Sequence, residues 1–330
     1  MRVHDEFSHA RLSSSIIERP TFPRAKAGTQ GSIMQLNRFI IRPYVEQGLR
    51  EEFGLGDTTG GFLTWDDDPS QTAQIYAKAH GVACGLLFAD ETIRLLDADA
   101  QIEHCVKDGD EIAPGTVLLK IRGRASTFFA IERAALDWIQ QLSAIATKTR
   151  RYVNLVKHTK VRVTDTRKGW PGLRMVQKYA VRVGGAHNHI MNLTNCILVK
   201  DNHIKIAGSI KNAVHILRAR AQHTFKIEVE CETMAMVEEA LDCGVEVIMF
   251  DNMDLDEMKA AMKLVAGRAM TEASGGINET TIVPIAETGV DVISVGDLTH
   301  TVKALDISLD VQDIKPSALR TIERLRAAGG

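Results

Sequence analysis

Short apolar segments alternate with segments of helical character through the second half of this chain, and no other feature constrains the fold as strongly. Strands of this length, each followed by a helix, indicate right-handed βαβ units whose strands form a parallel sheet. We therefore expect a domain in which helices cover a parallel sheet. The apolar segments span residues 160–164, 196–200, 226–230, 245–250, 268–271 and 291–295.

Polar groups or glycines stand at the carboxyl end of every one of these segments. In an α/β barrel the active site is built from the carboxyl ends of the strands, which would bring all six groups together. An open doubly wound sheet is the alternative, but it binds ligands at one crevice and does not require every strand to end in this way. The sequence therefore favours a barrel. The six groups are residues 165–168, 200–201, 230, 251–252, 272–276 and 296–297.

The first half of the chain has a mixed pattern that is typical of a small α+β domain. It contains an early helix and short β-type segments at 81–88 and 116–122, separated by turns with glycine or proline. Residues 128–157 lack Gly and Pro and repeat apolar residues at helical spacing, which predicts one or two helices. We divide the chain into a flexible extension, an α+β domain, a barrel domain and a helical C-terminal tail, at residues 1–32, 33–144, 145–310 and 311–330.

Composition excludes several classes of protein. Of the 330 residues, 45% are hydrophobic and 25% are charged, which is typical of a soluble globular protein. No apolar run approaches the roughly 18 residues that a membrane-spanning helix needs, and the net charge of -2 argues against a general nucleic-acid binder. The five cysteines have no CxxC spacing. We read them as reduced thiols and expect a cytoplasmic protein.

Three cations of the barrel domain are expected to lie in one mouth. Arg167 and Lys168 follow one strand, and Lys200 ends the next. Such a cluster is costly unless anions neutralise it, so it indicates a polyanionic substrate. Lys200 would also suit a Schiff-base lyase, which is the main alternative chemistry.

Glycines and carboxylates complete the predicted mouth. The turns at 272–276 and 295–297 let backbone amides approach a phosphate. Glu230 and Asp251 end consecutive strands, so both carboxylates should face the same mouth. There they would hold sugar hydroxyls or a hydrated Mg²⁺.

As a set, these motifs resemble the quinolinate phosphoribosyltransferase family, also called carboxylating nicotinate-nucleotide pyrophosphorylases. The resemblance runs in order from Asn37 to Asp310. It implies an N-terminal α+β open sandwich, an incomplete (β/α) barrel, and a homodimer or higher homo-oligomer in which one subunit's N-terminal domain completes the other's site. The motifs are ERAALDWIQQLSAIAT at 132–147, DTRKGWPGLR at 165–174, KYAVRVGGAHNH at 178–189, VKDNHI at 199–204, EASGGI at 272–277 and GVDVISVGDLTH at 289–300.

The resemblance also implies a reaction and a set of site residues. The nitrogen of quinolinate would attack C1 of phosphoribosyl pyrophosphate, with loss of pyrophosphate and of the 2-carboxylate as CO₂, in NAD biosynthesis. Glu230 and Asp251 would hold ribose hydroxyls and the Mg²⁺ cofactor, and Arg133 would reach the partner's site. The residues with implied catalytic roles are Lys168, Lys200, Glu230 and Asp251. The residues with implied substrate-binding roles are Arg133, Arg167, Arg174, His189, Ser274, Gly275, Gly276, Gly296 and His300.

Two positions depart from the family's usual motifs. Where members read Arg-Lys-Thr and His-Arg, this chain has Gly169 and Ile190 as the last residue of each motif. The missing arginine is expected to contact quinolinate. Such a bidentate bond is worth about 1.5–3 kcal/mol, so its loss would weaken binding roughly ten- to hundred-fold. Either Arg174 or Arg182 replaces the contact, or the pocket prefers an acid with an apolar edge.

Quinolinate is the leading expected acid, and three alternatives stay open from the sequence. The first is a related phosphoribosyltransferase that acts on another aromatic acid. The second is the Lys200 Schiff-base lyase, which borohydride trapping would reveal. The third is a catalytically silent phosphosugar-binding protein, which would bind phosphoribosyl pyrophosphate without turnover.

Overall fold

The computed structural model of the protein describes residues 36–64 and 67–312. The extension expected at 1–32 lies outside the described residues, as does the expected tail from residue 313 onward. The N-terminal part comprises α1 (Arg38–Phe53), α2 (Thr58–Leu63), β1 (Ser70–Ala77), β2 (Gly81–Val82), α3 (Leu86–Leu96), β3 (Gln101–His104), β4 (Glu111–Ile112), β5 (Val117–Arg124) and α4 (Ala125–Leu155).

The elements after α4 alternate between strand and helix, as the sequence predicts. Each of the six apolar segments contributes one strand, from β6 to β11. These elements are β6 (Arg162–Thr164), α5 (Arg174–Gly184), β7 (Ile197–Val199), α6 (Asp201–Ala207), α7 (Ile210–Arg220), β8 (Ile227–Cys231), α8 (Met234–Asp242), β9 (Val247–Asp251), α9 (Leu255–Val265), β10 (Met270–Ser274), α10 (Ile282–Glu287), β11 (Val292–Ser294), α11 (Asp297–His300) and β12 (Ile307–Val311).

The six strands form the incomplete barrel that was expected. Their order is β6-β11-β10-β9-β8-β7, and all pairs are parallel. The first strand lies beside the last, which a doubly wound open sheet does not do. The strands at the two ends of this order, β6 and β7, do not pair with each other in the described part of the chain. The segment around His187 enters this gap, because His187 forms a parallel bridge with Thr164 and its N–H donates to the carbonyl of Val163 at 2.8 Å.

The N-terminal domain is built on a second, antiparallel sheet in the order β12-β1-β5-β3. Alternate residues of β1, including Ala73, Ile75 and Ala77, are fully buried, as expected for a sheet with one covered face. The sequence did not reveal that β12 belongs here. Although it follows the barrel strands in the chain, it pairs with β1, with Ala73 opposite Val311.

Helix α4 connects the two hydrophobic cores. It is a single helix, as its lack of glycine and proline predicts. Phe128 and Ile139 pack into the core beneath the antiparallel sheet, whereas Ile145 and Tyr152 pack into the core of the barrel. One continuous element therefore orients the barrel relative to the N-terminal sheet.

The β-type segment expected at 81–88 is wrong in its second half, because α3 begins at Leu86. The apolar run there is too short to distinguish a buried strand from a buried helix. The helix starts with the aid of Asp108, whose carboxylate accepts hydrogen bonds from the N–H groups of Gly85 and Leu86 at 3.0 and 3.1 Å. This cap comes from a residue far along the chain, so no local pattern predicts it.

No helix in the described ranges combines the length and the apolarity that crossing a bilayer requires.

Candidate active site

A cavity of about 850 Å³ opens at the carboxyl ends of the barrel strands. Alternate residues of a strand share one face, so the polar strand ends point into a common space. Every predicted site residue lines this cavity except Arg133. The lining residues are Arg167, Lys168, Arg174, His189, Lys200, Glu230, Asp251, Ser274, Gly275, Gly276, Gly296 and His300.

Lys200 and Glu230 form an ion pair at the mouth of the cavity. Lys200 directly follows β7 and Glu230 lies near the end of β8, so parallel pairing brings them to the same edge. The Nζ atom of Lys200 contacts Oε1 of Glu230 while 38% of the lysine side chain stays exposed. Burial raises the pKa of Glu230, although the hydrogen bond from Lys200 acts against this shift. With Lys168 and Asp251, these residues form what we call the rim.

The glycine turn after β10 needs its glycines. Gly275 and Gly276 have φ angles of +95° and +61°, in the left-handed region that other residues rarely adopt. A Cβ atom on Gly275 would lie 2.1 Å from Oδ1 of Asn252, at the end of the neighbouring strand. The close approach keeps the backbone of the turn at the cavity surface, where a phosphate could meet amide groups.

The loop after β6 carries Arg167 and Lys168 and is tied to the last short helix of the barrel. The hydroxyl of Thr299 donates to the carbonyl of Lys168. The amide of Gln177 donates to the carbonyl of Thr299 at 2.9 Å, and its oxygen accepts from the N–H of Trp170 at 3.1 Å. These bonds hold the two cations beside the glycine turn at Gly296.

Gly169, the first departure from the family pattern, leaves room for a side chain that holds this loop. A Cβ atom at Gly169 would lie 2.5 Å from the side-chain oxygen of Gln177. Gln177 is buried and uses that oxygen to bind the loop backbone. A threonine at residue 169 would therefore require Gln177 to move, so the two residues suit each other.

Ile190, the second departure, is half-buried and does not line the cavity among the described residues. Of the two arginines expected to compensate, Arg174 lines the cavity. Arg182 instead donates to the carbonyl of Ala186 at 2.9 Å and contacts Nδ1 of His187 at 3.0 Å. Arg174 is therefore the better placed of the two to contact an acid.

Three residues that we call the floor, His189, Glu228 and Glu272, lie below the rim. Glu228 and Glu272 precede Glu230 and Ser274 by two residues, so each shares a strand face with a cavity residue and lies one step further from the strand end. Of the three, His189 and Glu272 line the cavity. The Nε2 atom of His189 lies 3.2 Å from Oε2 of Glu228 and 3.6 Å from Oε1 of Glu272. Both glutamates are buried. Their role was not predicted from the sequence, although the alternating Glu-x-Glu and Glu-x-Ser patterns carry the signal.

A buried ion pair between Lys178 and Asp165 supports the floor. The two side chains are 1% and 0% exposed. Asp165 also accepts hydrogen bonds from the backbone N–H of His189 and the side chain of Asn188, both at 2.8 Å. All four residues occur in the quoted motifs, but their convergence depends on how 186–190 fills the gap beside β6.

Arg133 lies apart from the cavity, on the exposed side of α4. Its side chain is 54% exposed and its Nη1 atom lies 3.4 Å from Asp137. Phe129, one helical turn earlier, is also exposed, as are Phe62 and Leu63 on α2, which packs against α4. Exposed apolar side chains therefore accompany this arginine.

Comparisons with known proteins agree with this architecture. The models of the quinolinate phosphoribosyl transferase N-terminal and C-terminal domains match residues 58–143 and 145–310. A Bacillus subtilis protein named probable nicotinate-nucleotide pyrophosphorylase (carboxylating) is 41% identical over 84% of this chain and 95% of its own. A Synechocystis protein of the same name is 38% identical over 82% of this chain and 92% of its own. The solved structure of the nicotinate-nucleotide pyrophosphorylase from Francisella tularensis is 34% identical, with a TM-score of 0.81 over 85% of this chain and 99% of that one.

Proposed function

Because the chain belongs to the quinolinate phosphoribosyltransferase family, we propose that it transfers the phosphoribosyl group of phosphoribosyl pyrophosphate to quinolinate. The products are nicotinate mononucleotide, pyrophosphate and CO₂, and the step serves NAD biosynthesis. The observation that carries this proposal is the match of both family domains to a chain whose cavity gathers cations, carboxylates and glycine turns. The enzyme is thus a pentosyltransferase of the type that is called carboxylating after the reverse direction of this reaction.

The reaction separates charge, and the rim suits both halves of that separation. The pyrophosphate leaves with its electrons while C1 of the ribose gains positive character. Lys168 and Lys200 would stabilise the leaving anion, and Glu230 and Asp251 would hold the ribose hydroxyls close to the positive carbon. Such groups, already oriented before the reaction, need little rearrangement as the charge develops.

The glycine turns would hold the opposite end of the sugar. Ser274, Gly275 and Gly276 line the cavity, and so does Gly296, which follows the neighbouring strand β11. We assign the 5-phosphate to this region, with His300 beside it. We assign the carboxylates of the acid to the remaining basic side chains of the cavity, those of Arg167, Arg174 and His189.

Mg²⁺ fits this rim as a hydrated ion bound with the substrate. Glu230 and Asp251 offer the hard oxygen ligands that Mg²⁺ prefers, and the nearby charge of Asp251 acts on the Glu230 carboxylate. However, Glu230 is already paired with Lys200, so we assign it contact through water rather than a direct bond. When bound, Mg²⁺ would neutralise charge on the pyrophosphate.

A homodimer with shared sites is part of the proposal. It is supported by Arg133, which is exposed and separate from its own chain's cavity, and by the exposed Phe62 and Phe129 near it. We also place the enzyme in the cytoplasm, which its five unpaired cysteines support.

The shared site is testable by mixing inactive subunits. Arg133→Ala and Lys200→Ala proteins should each lose activity, and subunit exchange should restore part of it, because a mixed dimer contains one site without either defect. Absence of recovery, with exchange confirmed by mass spectrometry, would contradict a shared site.

The reaction itself is tested by offering a panel of pyridine carboxylates with phosphoribosyl pyrophosphate and Mg²⁺. We expect quinolinate to give pyrophosphate and CO₂ in equal amounts. Release of pyrophosphate without CO₂, with nicotinate or another monocarboxylate as the preferred acid, would contradict quinolinate as the substrate. Binding of phosphoribosyl pyrophosphate without turnover on any acid would contradict catalysis.

A further inference from the structure

At the floor of the cavity, two carboxylates approach the same ring nitrogen of His189. Glu228 and Glu272 both approach Nε2 of His189, and the only ion pair that either carboxylate makes among the described residues is with this histidine. Each glutamate has one oxygen, Oε1, that is buried and accepts no hydrogen bond in the described structure. Buried carboxylates without a basic partner are costly, so a cation at His189 would relieve both.

The backbone of His189 is held as firmly as its ring. Its N–H donates to Asp165 at 2.8 Å, and its carbonyl accepts from Nζ of Lys178 at 3.3 Å. Because Asp165 and Lys178 are themselves almost fully buried, the peptide on either side of the histidine has little freedom to move. From this backbone the ring presents Nε2 to the glutamates.

The surroundings of the ring favour its charged form. Burial by itself lowers the pKa of His189, but the hydrogen bond with Glu228 and the charge of Glu272 outweigh it, and the pKa is raised. Burial and the charge of Glu228 raise the pKa of Glu272, and the charge of His189 acts against this shift. The other ring nitrogen, Nδ1, has no hydrogen-bond partner among the described residues, while His189 lines the cavity.

We propose that Glu228 and Glu272 are positioning residues that hold the His189 ring as a cation, so that Nδ1 donates to a ring carboxylate of the acid substrate. The inference rests on the proposed function for the identity of that acid. Ile190 supplies no hydrogen-bond donor for the acid, so His189 takes that role. The substrate class follows: an aromatic acid with a carboxylate directed to the floor binds, and the analogue with a neutral group there does not.

Charged and titratable groups reach the ring from several elements. Glu228 comes from β8, Glu272 from β10 and Lys178 from α5, while Asp165 follows β6 and Cys196 precedes β7. Lys178 opposes protonation of the ring, but it is paired with Asp165. Burial and the charges of both glutamates raise the pKa of Cys196 to about 11, although the charge of Arg167 acts against this shift, so the thiol stays neutral.

Three variants test the proposal by removing one charge each. Glu228→Gln and Glu272→Gln keep the shape of the side chain, and Glu238→Gln, on the exposed surface of α8, is the matched control. The ring pKa of His189 is measured by NMR titration of the full-length, ligand-free protein. The KM and kcat for quinolinate are measured from pH 5.5 to 9.

We expect KM to rise as pH rises through the ring pKa, because the imidazolium is lost there. Removing a neighbouring carboxylate lowers that pKa, so the rise should begin about one pH unit lower in Glu228→Gln, with KM about tenfold higher above it. In Glu272→Gln the ring pKa and the rise in KM should shift in the same direction by less, because the Glu272 oxygen is further from Nε2 of His189 than the Glu228 oxygen is. The kcat should change less than KM, Glu228→Asp should recover part of the shift, and the control should match the parent.

A merely structural role would raise KM or lower stability without moving the pH inflection or the ring pKa, and that result overturns the proposal. A second result would also overturn it. If added Co²⁺ gives an absorption band that disappears in Glu272→Gln, the floor is a metal site in which the histidine is neutral. Failure of the proposed function is distinguishable. A protein without turnover on quinolinate can still show a raised ring pKa that falls in Glu228→Gln, because that titration needs no substrate.

Discussion

The rim and the floor of the cavity carry similar kinds of charge but hold them differently. At the rim, Lys200 is more than a third exposed and pairs with Glu230 across adjacent strands. At the floor, Glu228 and Glu272 are buried, and they reach His189 from strands that are not adjacent. Exposed charges can exchange a protein partner for a ligand, whereas buried charges depend on one another.

This difference indicates a division of work within one cavity. The rim can release its internal ion pair when a polyanion arrives, so its residues should act mainly on turnover. The floor cannot rearrange without leaving a buried charge unpaired, so its supporting residues should act first on stability.

The largest effect is expected at the support of the floor. Lys178→Ala leaves the Asp165 carboxylate buried and without its cation, which should lower the free energy of unfolding by about 3–5 kcal/mol. Urea denaturation measures this value. Lys120→Ala is the control, because Lys120 pairs with Glu103 on the surface and its loss should cost less than about 1 kcal/mol. Equal losses in the two variants would contradict a stabilising role for the buried ion pair that supports the floor.

At the rim, Lys200→Ala should lower kcat about 10²- to 10³-fold, because a cation that stabilises the leaving group is lost. The midpoint of unfolding should change little. The neighbouring Lys205 is matched in charge and is exposed, with an i,i+4 pair to Asp201, so the kcat of Lys205→Ala should stay near that of the parent. A large loss of stability in Lys200→Ala would show that the rim is structural as well.

The glycine turn after β10, which lines the same cavity, is expected to show a smaller effect. Gly275→Ala introduces a Cβ atom against Asn252 and strains a left-handed backbone, which should lower kcat/KM for phosphoribosyl pyrophosphate about 10- to 100-fold. Gly244→Ala separates the two causes, since Gly244 has a φ of +63° and nothing within 4 Å of the added atom. If both variants lose only stability, the turn does not bind substrate.

The smallest effect is expected beside the floor. Ile190→Arg adds a long cation next to His189 and should lower KM for quinolinate about tenfold if the guanidinium reaches a carboxylate. Steady-state kinetics with quinolinate measures it. Ile190→Leu serves as the control of similar size without charge. An unchanged KM in the arginine variant would mean that residue 190 is directed away from the acid.

Local pattern predicted the barrel and the rim because both follow from rules with short range. Each strand shows its own apolar run, and the residue that ends it must lie at the carboxyl edge, so Lys200, Glu230 and Asp251 were identifiable one at a time. The two glutamates of the floor were not predicted, because their convergence on His189 depends on contacts over long range. The histidine is placed by the gap between β6 and β7, and no run of neighbouring residues records that gap.

The start of α3 shows the same limit outside the cavity. The apolar residues after Gly81 fit a strand or a helix equally well, and the choice is made by the carboxylate of Asp108. Likewise, the sequence of β12 has no local feature that assigns it to one sheet rather than the other. In each case a distant partner resolves what the local sequence leaves open.

The return of β12 to the first sheet also orders events during synthesis of the protein. Because β1 pairs with β12 along one side and with β5 along the other, the sheet lacks an outer strand until residues 307–311 have left the ribosome. The whole barrel emerges in the meantime. During that interval β1 presents an unpaired edge, which is a site of mispairing for any nascent chain. Truncations that end before Ile307 would make this transient condition permanent.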